Sequence, residues 1–426
     1  MEPIFSTWGA VGALALAIAL IVRKAPPAYA LIFAALVGGL AGGGGLEPTV
    51  NAMIDGAKGM MPAVLRILAS GVLAGALIRT GAAARLADAI VGGLGARFAL
   101  PAVALASMVV CAVGIFLDIA VITVAPIALA VGRRANLPVP ALLLAMVGGG
   151  KAGNVISPNP NTIAVAEAFK LDLSSVMAAN IVPAIAALMA TVLLSGWLAK
   201  RWTTCETSVD AVAEADGRSS GPSVVQAVLG PLTVVALLAM RPLFGVVVDP
   251  LVALPAGGLV SMAVCGRWRE MVAYAEFGLS KVIGVSILLI GTGTVAGIVK
   301  GSGLNGDMIA LIGACHMPAW ALAPVSSVLL SGATASTTAG VTIASQTFAG
   351  ALAGAGVPAL SAAAMLHAGG TIFDALPHGS FFHATAGAVG IGVKDRLRLF
   401  PYGTLVGATS TIVSIIVGLL RHGNVA

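Results

Sequence analysis

The chain has 426 residues, of which 58% are hydrophobic and only 9% charged, with a mean hydropathy of +1.03. A soluble domain carries about 25% charged residues, so a soluble globular enzyme is excluded and an all-α polytopic membrane protein is expected. The net charge of +6 comes from basic residues at the ends of apolar stretches, which is no signature of nucleic-acid binding.

About 20 apolar residues cross a bilayer. That rule predicts helices at 7–22, 26–45, 60–79, 138–169, 175–199, 223–240, 243–265, 281–300, 357–392 and 401–421. The first stretch lacks a basic leader and an A-x-A site, so it is expected to be retained as a helix. Stretches 98–132 and 317–350 are too long for one crossing. Arg97 and Arg133-Arg134 flank the first, and both flanks prefer the cytoplasm. A re-entrant hairpin is therefore predicted there, and likewise at 317–350. Each half then has five crossings and one hairpin. Five is odd, so the second half (223–426) is expected to be inverted relative to the first (1–199). The polar stretch 200–222, with Glu206, Asp210, Glu214 and Asp216, reads as a flexible cytoplasmic linker. Segments 82–96 and 303–315 are expected along the interface. With an external N-terminus, 16 of the 23 Lys/Arg fall on the cytoplasmic side, Arg396 among them. Five fall outside, and Arg66 and Lys151 lie within membrane segments. That asymmetry fits the positive-inside rule.

Two stretches resemble each other and interrupt their helices. Val139-Pro140-Ala141-Leu142 leads to Gly148-Gly149-Gly150-Lys151 and Ser157-Pro158-Asn159-Pro160-Asn161-Thr162. Val357-Pro358-Ala359-Leu360 leads to Gly369-Gly370 and Asp374-Ala375-Leu376-Pro377-His378-Gly379-Ser380. Gly71, Gly75 and Gly81 line up with Gly293, Gly297 and Gly303, and Val121 with Val341. Paired, Gly/Pro-interrupted apolar segments point to the binding site of a secondary transporter. Unwound backbone inside a bilayer is tolerated where it lines a cavity or is buried in protein.

The order of hairpin, broken helix and the run Gly-Val-Lys-Asp-Arg-Leu at 392–397 resembles the gluconate:proton symporter family of the ion transporter superfamily. The resemblance covers nearly the whole chain and is strongest over 98–170 and 317–421. It implies two inverted repeats, each with a scaffold part and a transport part, in a homodimer of the bacterial cytoplasmic membrane with an elevator motion. One departure matters. The family has Pro-Pro-His-Pro-Gly-Pro at the first break, whereas here Asn159 stands in the histidine's place. Membership survives this change, but gluconate as substrate does not carry over with it.

A carboxylate needs donors that replace its water shell, and half-helix N-termini supply them. Ser157, Asn159, Asn161 and Thr162 at the first break and Ser380 at the second are candidate substrate contacts, although such residues also cap their own helices. The second hairpin tip adds Ser331, Thr334, Ser336, Thr337 and Thr338, any of which could instead bond within its own helix. Asp118 at the first tip and Asp374 at the second break are acids in apolar surroundings. Burial raises a carboxyl pKa, which suits proton coupling. Lys151 is either a contact for the substrate carboxylate or a fixed counter-ion of Asp118 or Asp374. His378 could carry a proton or touch substrate. His367 and His383 read as satisfied packing histidines, and His316 and His422 lie elsewhere. Arg66 is expected to snorkel or pair in the scaffold, and Glu167 to be interfacial. Cys111, Cys205, Cys265 and Cys315 show no metal or redox spacing and read as small packing residues.

These features predict a secondary active symporter that imports a small hydroxy-carboxylate or sugar-acid anion with protons and needs no cofactor. Sodium coupling is the first alternative. An intramembrane aspartyl-type hydrolase using Asp118 and Asp374 is a remote one, and a channel is the last. No His-Glu-x-x-His or Gly-x-Ser-x-Gly pattern supports other hydrolases.

Overall fold

The computed structural model describes residues 4–202, 221–314 and 317–422. Helices α1 (Thr7–Val22), α2 (Pro27–Ala41), α3 (Leu46–Gly59), α4 (Met61–Arg79) and α5 (Ala82–Leu94) lead into a helical pair, α6 (Ala99–Ala112) and α7 (Leu117–Arg134). Then come α8 (Val139–Asn154), α9 (Pro160–Ala168), α10 (Leu173–Ala179) and α11 (Ile181–Arg201). A second series follows: α12 (Val224–Phe244), α13 (Pro250–Val264), α14 (Met271–Lys300), α15 (Leu304–Ala314), α16 (Leu322–Thr334) and α17 (Thr337–Gly354). It ends with α18 (Ala359–Gly369), α19 (Ser380–Ala388) and α20 (Val393–His422). Five helices among the described residues (α4, α11, α12, α14 and α20) are long and apolar enough to cross a membrane.

Local chemistry fixes the element ends. Ser6, Ser223 and Asp249 cap α1, α12 and α13 through their side-chain oxygens, and Gln226 closes a capping box with Ser223. Gly114 takes φ +107°, which lets the chain reverse between α6 and α7. The reversal between α16 and α17 uses Ala335 at φ +46°, a left-handed conformation that residues with a Cβ seldom adopt.

Several boundaries differ from the sequence reading. The helix expected over 26–45 stops at Ala41, where a run of glycines begins. Residues 46–59 form α3, which an apolar-window rule misses because Glu47, Asp55 and Lys58 lie in it. The stretch 175–199 is divided at Asn180 into α10 and α11. Helix α14 begins at Met271 rather than 281, and α20 at Val393 rather than 401. Most of the linker, with Cys205, lies outside the described residues, as do Cys315 and His316.

Helices α1–α4 pack with α12–α14, and α4 crosses α14 where Gly75 meets Gly278. A Cβ on Gly75 would stand 2.9 Å from the Gly278 Cα, so only small residues permit this approach. The remaining long elements form a second group in which α8 packs on α6 and α11, and α18 on α16 and α20. The contacts between the two series are reciprocal: α7 lies against α19, and α17 against α9. Both hydrophobic cores draw on both series. One holds Val64 and Leu143 with Leu289 and Leu399; the other holds Leu31 and Val165 with Val341 and Leu366.

Candidate functional site at two helix breaks

The first break, between α8 and α9, is held by its own side chains. Asn159 caps α9: its Oδ1 accepts from the Asn161 and Thr162 N–H groups at 2.9 and 3.1 Å. Its Nδ2 donates to the carbonyl and to Oδ1 of Asn154 at 3.0 and 2.6 Å. Asn161 Nδ2 donates to the same Asn154 Oδ1 at 3.2 Å, and Thr162 Oγ1 donates to the Ser157 carbonyl at 2.6 Å. Pro160 opens α9, where a missing N–H costs nothing. Ser157, Asn159, Asn161 and Thr162 are all buried. Three polar atoms in this web have no partner among the described residues: Ser157 Oγ, Asn161 Oδ1 and Asn154 Nδ2. Asn154, the hub, was absent from the sequence reading; an amide three residues beyond Lys151 in an apolar run was its only signal.

The second break, between α18 and α19, is held from outside. Lys151, at the end of α8, donates from Nζ to the Thr371 carbonyl at 2.6 Å and the Gly403 carbonyl at 3.1 Å. The same Nζ stands 2.7 Å from Asp374 Oδ1, an ion pair without hydrogen-bond alignment at that oxygen. Thr337, in the first turn of α17, donates to Asp374 Oδ2 at 2.8 Å. Lys151 and Asp374 are 2% and 1% exposed, so the pair is fully desolvated. The carboxylate that Lys151 pairs with is Asp374. Gly379 caps α19 without a side chain and lies against the hairpin turn; a Cβ there would come within 2.6 Å of the Ala335 Cβ.

The other candidates divide. Ser331 is buried with Oγ unpartnered. Thr334 bonds the Leu330 carbonyl of its own helix at 2.8 Å, and Ser336 caps α17. Thr338 is half-buried on the first turn of α17. His378, Ser380 and His383 are exposed, not enclosed with Asp374. His378 Nε2 lies 3.2 Å from the Ala333 carbonyl and His383 Nε2 2.8 Å from that of Pro377. Asp118 begins α7, where its Oδ1 accepts from the Ile119 N–H at 2.9 Å, and the charge facing it is Lys281. No hydrogen bond joins Asp118 to Asp374 among the described residues.

Two expectations are corrected, and one charge proves to be buried. His367 is fully buried, and neither ring nitrogen has a partner among the described residues, so it is not a satisfied packing histidine. Glu167 is not merely interfacial, because it pairs with Arg66, which also grips Asp249 at 3.1 and 2.7 Å. Arg396, counted among the cytoplasmic charges, is 2% exposed and packs between Thr385 and Phe382. Its place in the run at 392–397 was the available signal.

Two clefts indent the described residues. One of about 220 Å³ lies among Arg66, Asp172, Arg241 and Asp249; the other, of about 460 Å³, among Trp197, Arg201, Arg398 and Tyr402. Helix α9 leads from the first break toward the first cleft, and Gly403, which accepts from Lys151, is the chain neighbour of Tyr402 in the second.

Known proteins match this chain along most of its length. The GntP family permease profile matches residues 6–421. An uncharacterized transporter of Haemophilus influenzae is 50% identical over 412 residues, covering 97% of this chain and 98% of that one. An uncharacterized permease of the same organism is 27% identical over 175 residues, 41% of this chain and 36% of its own. The Alcanivorax borkumensis YdaH transporter, described as having an unusual topology, shares the fold at a TM-score of 0.62 with 18% identity, over 89% of this chain and 90% of that one. The chain therefore belongs to the GntP family of permeases and is a multi-pass membrane transporter, not an enzyme.

Proposed function

We propose that this permease is a secondary active symporter of the bacterial cytoplasmic membrane, N-terminus outside, importing a small hydroxy-carboxylate or sugar-acid anion with protons. The observation that carries the reading is the meeting of Lys151 from the first break, Thr337 from the second hairpin and Asp374 from the second break. Reciprocal packing of α7 on α19 and of α17 on α9 supports two inverted repeats around that point. Hydroxyls, amides and helix N-termini at the breaks would hold the substrate carboxylate. Asp374 is the favoured proton carrier, ahead of Asp118 and His378, because its protonation removes the counter-charge of Lys151. Proton binding thereby adds one unit of positive charge to the site that receives an anion. One proton offsets the membrane term on a monovalent anion, about 2.3 kcal/mol per charge per 100 mV. Movement would be of elevator type within a homodimer.

Uptake of gluconate, glycerate and lactate into proteoliposomes under an imposed pH gradient tests the reading. Accumulation driven by an acidic exterior is expected. Accumulation that needs sodium and ignores pH would replace protons with sodium, and no uptake of any acid would end the carboxylate assignment.

A further inference from the structure

The buried charges around the second break do not balance. Two basic side chains, Lys151 and Arg396, share one carboxylate, Asp374, among the described residues, so with both bases protonated the cluster carries one surplus positive charge. All three side chains are almost fully buried. A buried charge without a partner is costly, and proteins seldom tolerate it unless something else supplies the opposite charge. Lys151 is not the source of the surplus, because two carbonyls and Asp374 surround its ammonium. Arg396 is. Its Nε donates weakly to Thr385 Oγ1 at 3.3 Å, its guanidinium stands 5.3 Å from the Phe382 ring centroid, and no ion pair within 4 Å is formed among the described residues. Its Nη2 is buried with no hydrogen-bond partner. A guanidinium with free N–H groups in a fixed fork matches the two oxygens of a carboxylate.

We propose that Arg396 is the anion anchor of this permease, binding the carboxylate of the transported acid directly. The proposal rests on the carboxylate-transport reading and adds to it the residue that selects for negative charge. Phe382 backs the guanidinium and Thr385 steadies Nε, so the fork is pre-oriented before substrate arrives.

The test is the thermal shift of purified full-length protein with gluconate, glycerate and lactate, and with gluconamide as the neutral analogue, for the wild type and for Arg396→Lys and Arg396→Gln. A bound acid raises the melting temperature. The wild type should respond to at least one acid. Arg396→Gln should lose that response, and Arg396→Lys, which keeps the charge but loses the fork, should weaken acid binding about tenfold. Preference for the acid over gluconamide should collapse in step, a change that a merely structural role would not produce. Should Arg396→Gln fail to fold, the lysine variant carries the test alone. A wild type that responds while either folded variant keeps full affinity and charge preference overturns the Arg396 assignment only. A wild type that responds to no acid overturns the carboxylate reading, and this inference with it.

Discussion

The two helix breaks solve the same problem with opposite means. The first is bonded within itself: Asn154, Ser157, Asn159, Asn161 and Thr162 are linked by hydrogen bonds within eight or so residues, with three polar atoms left over. The second has no such web; its N-cap is a glycine and its carboxylate is held by α8 and α17. A locally satisfied break behaves as a rigid part, because its bonds survive any movement of its neighbours. A break held from outside can change state when one of those contacts changes. The geometry of the second break therefore depends on α8 and α17, that of the first on its own residues.

Cutting the external tie should have the largest effect. Lys151→Met leaves Asp374 buried without its main partner, and breaking one side of a buried pair costs about 3–5 kcal/mol. Because Arg396 also faces Asp374, the lower part of that range is expected in chemical or thermal denaturation at neutral pH. Adding Asp374→Asn should recover most of the stability without restoring transport. Full recovery of transport in the double variant would remove the ion pair from the mechanism.

Cutting the internal web comes next. Asn159→Ala removes the α9 cap, about 1 kcal/mol, and takes two donors from Asn154, whose carbonyl keeps only a long bond from the Ser157 N–H at 3.4 Å and whose Oδ1 keeps Asn161, a further 1 kcal/mol or so. Asn159→Ser should keep the cap and lose only the second part. Equal melting temperatures for the two variants would show that the bonds to Asn154 do not hold the break. Crowding the glycine cap of the second break is comparable: Gly379→Ala presses on Ala335 and should cost about 1–3 kcal/mol, with transport falling more than stability as the turn is pushed from the break.

How much of this could be read from the chain differs between the breaks for the same reason. The first break was legible because its chemistry is local: Ser157, Asn159, Asn161 and Thr162 are polar residues beside prolines in an apolar run. The partners of the second come from far along the chain, Lys151 about 220 positions before Asp374. Aligning Val139 with Val357 puts Lys151 opposite Gly369 and Asp374 opposite Ile156, so the ion pair is absent from the repeat pattern and could not be inferred from it. The burial of Arg396 was illegible for a related reason. Counting charges by loop gives a side of the membrane and not a depth, and the fold draws this one inward against Phe382. The apolar-length rule found most helices yet missed α3, whose charges disguise it, and could not see that α14 and α20 continue through polar turns.

The smallest effect is expected far from the breaks and sharpens the contrast between enclosed and open ion pairs. Arg66 holds Asp249 in two hydrogen bonds, but the side chains are 29% and 43% exposed, and solvent-screened pairs contribute below about 1 kcal/mol. The Arg66 guanidinium holds the Asp249 carboxyl below the usual carboxylate range, against a weaker opposing effect of burial. A carboxyl depressed in the folded state stabilises fully above its unfolded pKa, about 3.9, and the contribution fades as pH falls through the lower folded value. Asp249→Asn, which can still cap α13, should therefore lower the melting temperature slightly and evenly from about pH 5 to 8, with the gap to wild type closing below about pH 4. A gap as large as that of Lys151→Met would mean that this outer pair is shielded from water when the protein sits in its bilayer, and that the cleft beside it is closed there.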